Sequence, residues 1–152
     1  MGISINGREF SLREIAKITG GEVIGNPDVI IRSVSTDSRE TMLNDLFVAI
    51  KGERLDGHAF VGMAFVNGAK AALVDRVGDL TENRNLVLVD NTTIAFGRLA
   101  KALKDEINPI SVAVTGSVGK TTTKQFIYSV LRCKYTTEKS EKNYNNEIGT
   151  PI

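Results

Sequence analysis

The sequence predicts an α/β fold, and three observations carry that prediction. Short apolar runs, "DLFVAI" at 45–50, "KAALVD" at 70–75 and "NLVLVD" at 85–90, are of strand length and nearly continuous, as strands buried on both faces are. Between them lie segments whose apolar residues recur at helical spacing. Near the end, a strand pattern at 110–115 runs through a glycine loop into an amphipathic segment at 120–132. Alternation of this kind indicates an α/β chain.

Taken in order, Ser11 and Glu14 have the spacing of a capping box, in which hydroxyl and carboxylate satisfy reciprocal backbone amides at a helix start. Leu12, Ile15, Ala16 and Ile18 supply the apolar face, and Gly20-Gly21 ends the helix. "EVIG" at 22–25 and "VIIRSVSTDS" at 29–38 read as two strands divided by the turn residues Gly25, Asn26 and Pro27. After "DLFVAI" comes a polar, glycine-punctuated loop, "KGERLDGHAF". Phe60, Ala64 and Phe65 mark one helical face closed by Gly68. A long helix is expected over 92–107, with Ile94, Phe96, Leu99, Ala100 and Leu103 inward, and it stops before Asn108-Pro109. That pair is the expected boundary between a first domain, 1–108, and a second segment, 109–152, comprising strand 110–115, the glycine loop, helix 120–132, strand 134–137 and a polar loop.

Composition excludes several classes. With 152 residues, 41% hydrophobic and 24% charged, the chain can build a globular core. A formal charge of +1 and no basic stripe give no reason to expect a nucleic-acid partner. One cysteine, Cys133, rules out an internal disulfide and a multi-cysteine metal site; a buried position at a helix end is expected for it. No apolar run has membrane-spanning length and "MGISINGREF" lacks a signal-peptide core, so a cytoplasmic protein without membrane insertion is expected, as a monomer.

The most informative stretch is "VAVTGSVGKTTTKQF" at 112–126. The general phosphate-loop pattern, G-x-x-x-x-G-K-[ST], asks for a glycine where Val114 stands. What remains, Gly116, Ser117, Val118, Gly119, Lys120, Thr121 and Thr122, still follows an apolar strand and opens a helix. Backbone amides at a helix start hold phosphate oxygens, and glycines allow close approach. Lys120 would reach the β- and γ-phosphates of a nucleotide as the catalytic cation, and the Thr121 hydroxyl would ligate Mg²⁺. An ordinary strand–turn–helix connection is the bland alternative. A lysine in the first turn opposes the helix dipole, which argues against it.

"TGSVGKTTTK" resembles the shortened phosphate loop of the Mur ligases, ATP-dependent enzymes of peptidoglycan precursor synthesis. Upstream, "STDSR" at 35–39, "DLFVAIKGERLDGHAF" at 45–60 and "GAKAALVD" at 68–75 resemble the UDP-binding first domain of two members of that family. One adds the third residue of the peptide and the other adds D-alanyl-D-alanine. Downstream, Asn143, Asn145, Asn146, Ile148, Gly149 and Pro151 resemble the N-x-N-N-x-I-G-x-P loop of the second.

The resemblance implies a small N-terminal α/β UDP-substrate domain followed by the truncated start of a P-loop ATPase domain with a parallel sheet. It implies ATP and Mg²⁺, and UDP-N-acetylmuramoyl-tripeptide and D-alanyl-D-alanine as substrates. It points to Thr36, Ser38 and Arg39 as hydroxyls and a guanidinium for uridine and pyrophosphate oxygens, and to Glu53, Arg54 and Asp56 as a polar wall by the nucleotide. Without the other motifs, "STDSR" would read as a turn after a strand. Asn145 and Asn146 would donate amides to substrate, or shape a tight loop. His58, the single histidine, reads as a helix-start residue rather than a base or metal ligand. By the same resemblance the chain is an N-terminal fragment, inactive alone; a lone βαβ opening leaves strand neighbours unpaired and helix faces uncovered, so the half after Pro109 is expected to be the less stable. The alternatives are a UDP-sugar-binding module without catalysis and the member that adds the third residue.

Overall fold

The computed structural model describes residues 3–4, 8–78 and 84–140. Its centre is a six-stranded sheet in the order β1-β5-β6-β7-β8-β3. The strands are β1 (Ile3–Ser4), β3 (Glu22–Ile24), β5 (Ser33–Ser35), β6 (Asp45–Val48), β7 (Ala71–Val74) and β8 (Leu86–Leu88). β5, β6, β7 and β8 run parallel in sequence order, and β1 and β3 flank them antiparallel. The α/β expectation therefore holds, and the sheet is mostly parallel, though it lies before residue 108 rather than in the segment after it.

The near-continuous apolar runs have a direct cause. Every residue of β6 and β7 is buried. Successive side chains of a strand point to opposite faces, so each run feeds two cores at once. Leu46, Val48, Ala71, Leu73, Val87 and Val89 face one core, which helices α1 (Leu12–Thr19) and α3 (Thr92–Ile107) cover. Phe47, Ala49, Ala72, Val74 and Leu86 face the other, beneath helix α2 (Val61–Val66), which contributes Val61 and Ala64.

Helix α1 begins with the expected box: the Ser11 amide donates to Glu14 Oε2 (2.8 Å) and the Glu14 amide donates to Ser11 Oγ (3.3 Å). At its far end Arg98 of α3 donates to the Thr19 carbonyl (2.7 Å), placing a cation at a helix C-terminus and tying the two helices together. On α3 the inward residues are Thr92, Ala95, Phe96 and Leu99, while Ile94 is 57% exposed. The stripe is thus rotated from the expected one. Positions 92, 96, 99 and 103 share a face at 3.6 residues per turn, and 94 lies about half a turn away.

The run 29–38 is not one strand. Ile30–Ile31 (β4) pairs with Phe10–Ser11 (β2) in a separate two-stranded ladder, and the chain then enters the main sheet at β5. Ile31 and Val34 both face the α1/α3 core. Three residues apart, they would lie on opposite faces of a continuous strand. The break at Arg32, whose amide donates to the Asn44 carbonyl (3.1 Å), lets both face inward.

Beyond Asn108 two further expectations fail. Residues 110–115 and 134–137 are not strands; only helix α4 (Lys120–Leu131) forms there. A strand exists as one side of a hydrogen-bonded ladder, and among the described residues nothing pairs with either segment. No described residue after 108 is buried; Ile110 is 96% exposed. Cys133, expected to be buried, is exposed for the same reason.

The core predicts its own sensitivity. Leu73→Ala, in the middle of β7, should lower the unfolding free energy by about 2–5 kcal/mol, whereas Ile94→Ala should change it by less than about 0.5 kcal/mol. Urea unfolding of both variants measures the difference.

Candidate functional site

Parallel strands send their carboxyl ends to one edge of a sheet, and ligands of open α/β sheets bind outside that edge. Ser35 of β5 pairs with Phe47 of β6, so the loops after these strands leave side by side. They are the "STDSR" loop and the "KGERLDGH" loop, two of the stretches the sequence singled out.

The first loop is folded on itself. Ser35 Oγ donates to the Asp37 carbonyl (3.0 Å), and the Thr41 hydroxyl donates to the same oxygen (3.1 Å). Thr36 is half-buried and Ser38 is buried, with the Ser38 carbonyl accepting from Asn67 Nδ2 (2.8 Å). Arg39 is 84% exposed, but its guanidinium is not idle: Nε donates to Asp37 Oδ1 (2.9 Å) and Nη2 to Oδ2 (2.5 Å). This fork–fork pair holds the guanidinium plane in one orientation, with its remaining N–H donors facing solvent.

The second loop is a tight hairpin. The Gly52 amide donates to the Leu55 carbonyl (2.9 Å), Lys51 bridges Asp56, and Glu53 and Arg54 occupy the two-residue corner, both exposed. Gly57 closes the hairpin against β6, its amide donating to the Ile50 carbonyl (2.9 Å). A Cβ at this position would lie 2.7 Å from the backbone nitrogen and oxygen of Ile50, so only glycine fits. Asp56 then caps a short 3₁₀ helix, Gly57–Phe60, by accepting from the His58 amide (3.0 Å). Hydrogen bonds from the His58 amide and ring, and then from Arg76, hold the Asp56 carboxyl far below the usual carboxylate range.

His58 does begin a helix, yet its ring is buried between two elements. Nδ1 lies 2.8 Å from Asp56 Oδ1; Nε2 accepts from the Asp75 amide (3.1 Å) and lies 3.0 Å from Asp75 Oδ1. Arg76 donates to both Asp56 and Asp75. Asp75 and Arg76 were absent from the sequence candidates. The signal was their position, at the carboxyl end of β7 beside the other two loops.

The glycine loop at 116–119 runs into helix α4. Gly116 (φ 150°) and Gly119 (φ 80°) both lie in the positive-φ region, and Gly119 is the N-cap of α4. The first turn of α4 has no side-chain cap, which suits it to an anion in place of a cap. Lys120 Nζ donates to the Gly116 carbonyl (2.5 Å), so the ammonium folds back over the loop rather than out along the helix. Ser117, Val118, Thr121 and Thr122 are exposed around it, Val118 at 90%. Among the described residues no group of three or more His, Cys, Asp or Glu side chains could hold a metal. Asn145 and Asn146 lie outside the described residues. No helix among the described residues is long and apolar enough to cross a membrane.

The Asp37–Arg39 pair has a titration consequence. The Arg39 side chain first, and its backbone amide second, pull the Asp37 carboxyl from 3.8 to about 2. A carboxylate whose pKa is depressed on folding stabilises the fold above its unfolded value. That contribution is lost as pH falls from 3.8 to about 2. The pair is exposed to solvent, so salt should weaken it. Following the Asp37 carboxyl by NMR, Arg39→Ala should return its titration toward 3.8.

The chain has clear relatives among known proteins. The profile of the Mur ligase family, catalytic domain, matches residues 30–111, and that of the Mur ligase middle domain matches residues 114–152. The UDP-N-acetylmuramoyl-tripeptide–D-alanyl-D-alanine ligase of Bacillus subtilis is 42% identical over 146 residues, covering 93% of this chain and 32% of the relative. Its Escherichia coli counterpart is 37% identical, covering 93% and 31%. A crystal structure of MurF from Acinetobacter baumannii superposes with a TM-score of 0.85 at 34% identity, covering 95% of this chain and 32% of that one. MurF ligase from Thermotoga maritima in complex with ADP gives 0.64 at 36%, covering 78% and 27%. This chain therefore spans about a third of the length of these relatives. From Val34 to the end its motifs lie within what these proteins share, and the chain belongs to the Mur ligase family.

Proposed function

We propose that this chain is the nucleotide-sugar-binding part, and the opening of the ATP-binding part, of a ligase. That ligase would join D-alanyl-D-alanine to UDP-N-acetylmuramoyl-tripeptide in the cytoplasm. The carrying observation is that the "STDSR" and "GERLDGH" loops leave the carboxyl ends of adjacent parallel strands, in a chain alignable over 93% of its length with ligases of that name. The proposed division is 1–108 for the UDP-substrate domain and 109–152 for the start of the ATP-binding domain.

At the first site, Thr36 and Arg39 would meet the uridine and pyrophosphate oxygens, Ser38 would form the covered wall behind them, and Glu53 and Arg54 would close the opposite side. Arg39 keeps solvent-facing N–H donors while paired to Asp37, so an incoming phosphate can be bound without breaking that pair. At the second, the backbone of 116–119 and the first turn of α4 would cradle ATP, with Thr122 beside them, as the ADP complex of the Thermotoga relative supports. Thr121 would ligate Mg²⁺, whose role is to neutralise phosphate charge. Asn145 and Asn146 would contact substrate.

The tripeptide carboxylate would attack the γ-phosphorus of ATP, releasing ADP and forming an acyl phosphate. The D-alanyl-D-alanine amine would then attack the acyl carbon, releasing phosphate and a proton. Lys120 would hold its ammonium against the γ-phosphoryl oxygens as charge shifts during the first step.

The distribution of burial favours one further reading. Among the described residues every buried one precedes 109, which favours reading that part as a binding module. Calorimetry should detect UDP-N-acetylmuramic acid binding to it; a response to ATP alone would refute the assignment of the first site. In a chain extended to the length of its relatives, Lys120→Ala should slow ligation by ~100-fold or more, on the order of 3 kcal/mol in the barrier. UDP-substrate binding should stay unchanged in the same variant. Near-normal turnover would defeat the phosphate-loop assignment.

A further inference from the structure

We infer that His58 is a positioning residue for the nucleotide-sugar site, a pin that fixes the Glu53–Arg54 corner to the end of β7 in both protonation states of its ring. The inference rests on the assignment of that corner to the nucleotide, and its test separates the two.

The corner itself has little to hold it. Residues 51–55 are all exposed, and the hairpin closes on the Gly52–Leu55 hydrogen bond and the Lys51–Asp56 bridge. A hairpin this short is not stable on its own. Its base is held at Gly57, whose amide donates to the Ile50 carbonyl, and through the side chain of Asp56. Oδ1 receives the His58 amide at 3.0 Å and lies 2.8 Å from the ring Nδ1, and Oδ2 receives Arg76. The other side of the same ring reaches Asp75, the residue after β7. One buried imidazole thus links the loop after β6 to the strand next to it.

The groups on the ring are Asp56 and Asp75, and Arg76 pairs with both of those carboxylates. Nδ1 meets only a carboxylate oxygen, so it carries the proton and donates in either state. Nε2 stands between a donor, the Asp75 amide at 3.1 Å, and an acceptor, Asp75 Oδ1 at 3.0 Å. When neutral, the ring accepts the amide proton through its Nε2 lone pair. When Nε2 gains a proton it donates to the carboxylate, and the amide is released. The partner atom changes; the partner residue does not. The ring's added charge is met by two carboxylates that a single Arg76 leaves incompletely neutralised.

Two measurements on the chain as it stands test this. Hydrogen exchange is followed at the Gly52 and Asp75 amides as pH is varied, while NMR reports the protonation of the imidazole nitrogens directly. The Asp75 amide should lose protection as the ring charges, while the Gly52 amide keeps its own. Loss of protection at both, or at neither while the ring titrates, overturns the proposal. In the second, UDP-N-acetylmuramic acid binding is compared for the wild type, His58→Phe and His58→Asn. Phenylalanine fills the space with no polar atom, and should weaken binding by ~10-fold or more. Asparagine retains a donor toward Asp56 and should recover part of the loss. A folded His58→Phe chain that binds as the wild type overturns the proposal. A wild-type chain that does not bind the probe overturns the nucleotide-sugar reading instead, and the exchange experiment still decides whether His58 is the pin. If His58→Phe does not fold, the exchange data and His58→Asn carry the decision.

Discussion

The fold depends on burying β6 and β7 on both faces at once. Each residue of these strands is enclosed, so the sheet must have helices on both sides: α2 lies in the crossover from β6 to β7, and α1 and α3 cover the other face. The parallel run from β5 to β8 sends four carboxyl ends to one edge. The loops at that edge carry the polar residues of the candidate site, outside the two cores. Function enters through a packing constraint: chemistry sits where the core cannot.

The second half of the chain shows the same physics by contrast. Helix α4 forms from its own sequence, with a glycine N-cap and a lysine folded over the loop, but buries none of its residues. Its exposed apolar side chains, Phe126 and Val130 among them, are of the kind that a sheet would cover. The segments on either side have strand-like sequences and remain unpaired among the described residues. Local chemistry is enough for a glycine-capped helix, whereas a sheet needs partners that supply the other half of each hydrogen bond.

How much was legible follows from this difference. The capping box at Ser11 and Glu14, the doubly buried runs of β6 and β7 and the glycine loop at 116–119 are set by near neighbours in sequence, and each was readable. The break at Arg32 was not, because it comes from the need of Ile31 and Val34 to share a core, a constraint visible only once that core exists. Ile94 misled for a similar reason: the stripe on α3 is chosen by where α1 and the sheet lie, not by counting apolar residues alone. At the candidate site the sequence supplied the loop residues and missed Asp75 and Arg76, which belong to it through strand adjacency. His58 was read by its place at a helix start, and the two carboxylates around its ring could not be seen from spacing.

The central claim is that the carboxyl edge of the parallel strands holds a nucleotide-sugar. The most direct measurement is an amide chemical-shift map of the chain titrated with UDP-N-acetylmuramic acid. The account predicts saturable shifts at 36–39, 52–58 and 75–76, with α1 and the β2–β4 ladder silent. Shifts confined to 116–121, or spread over α1 and α3 without the three loops, would contradict it.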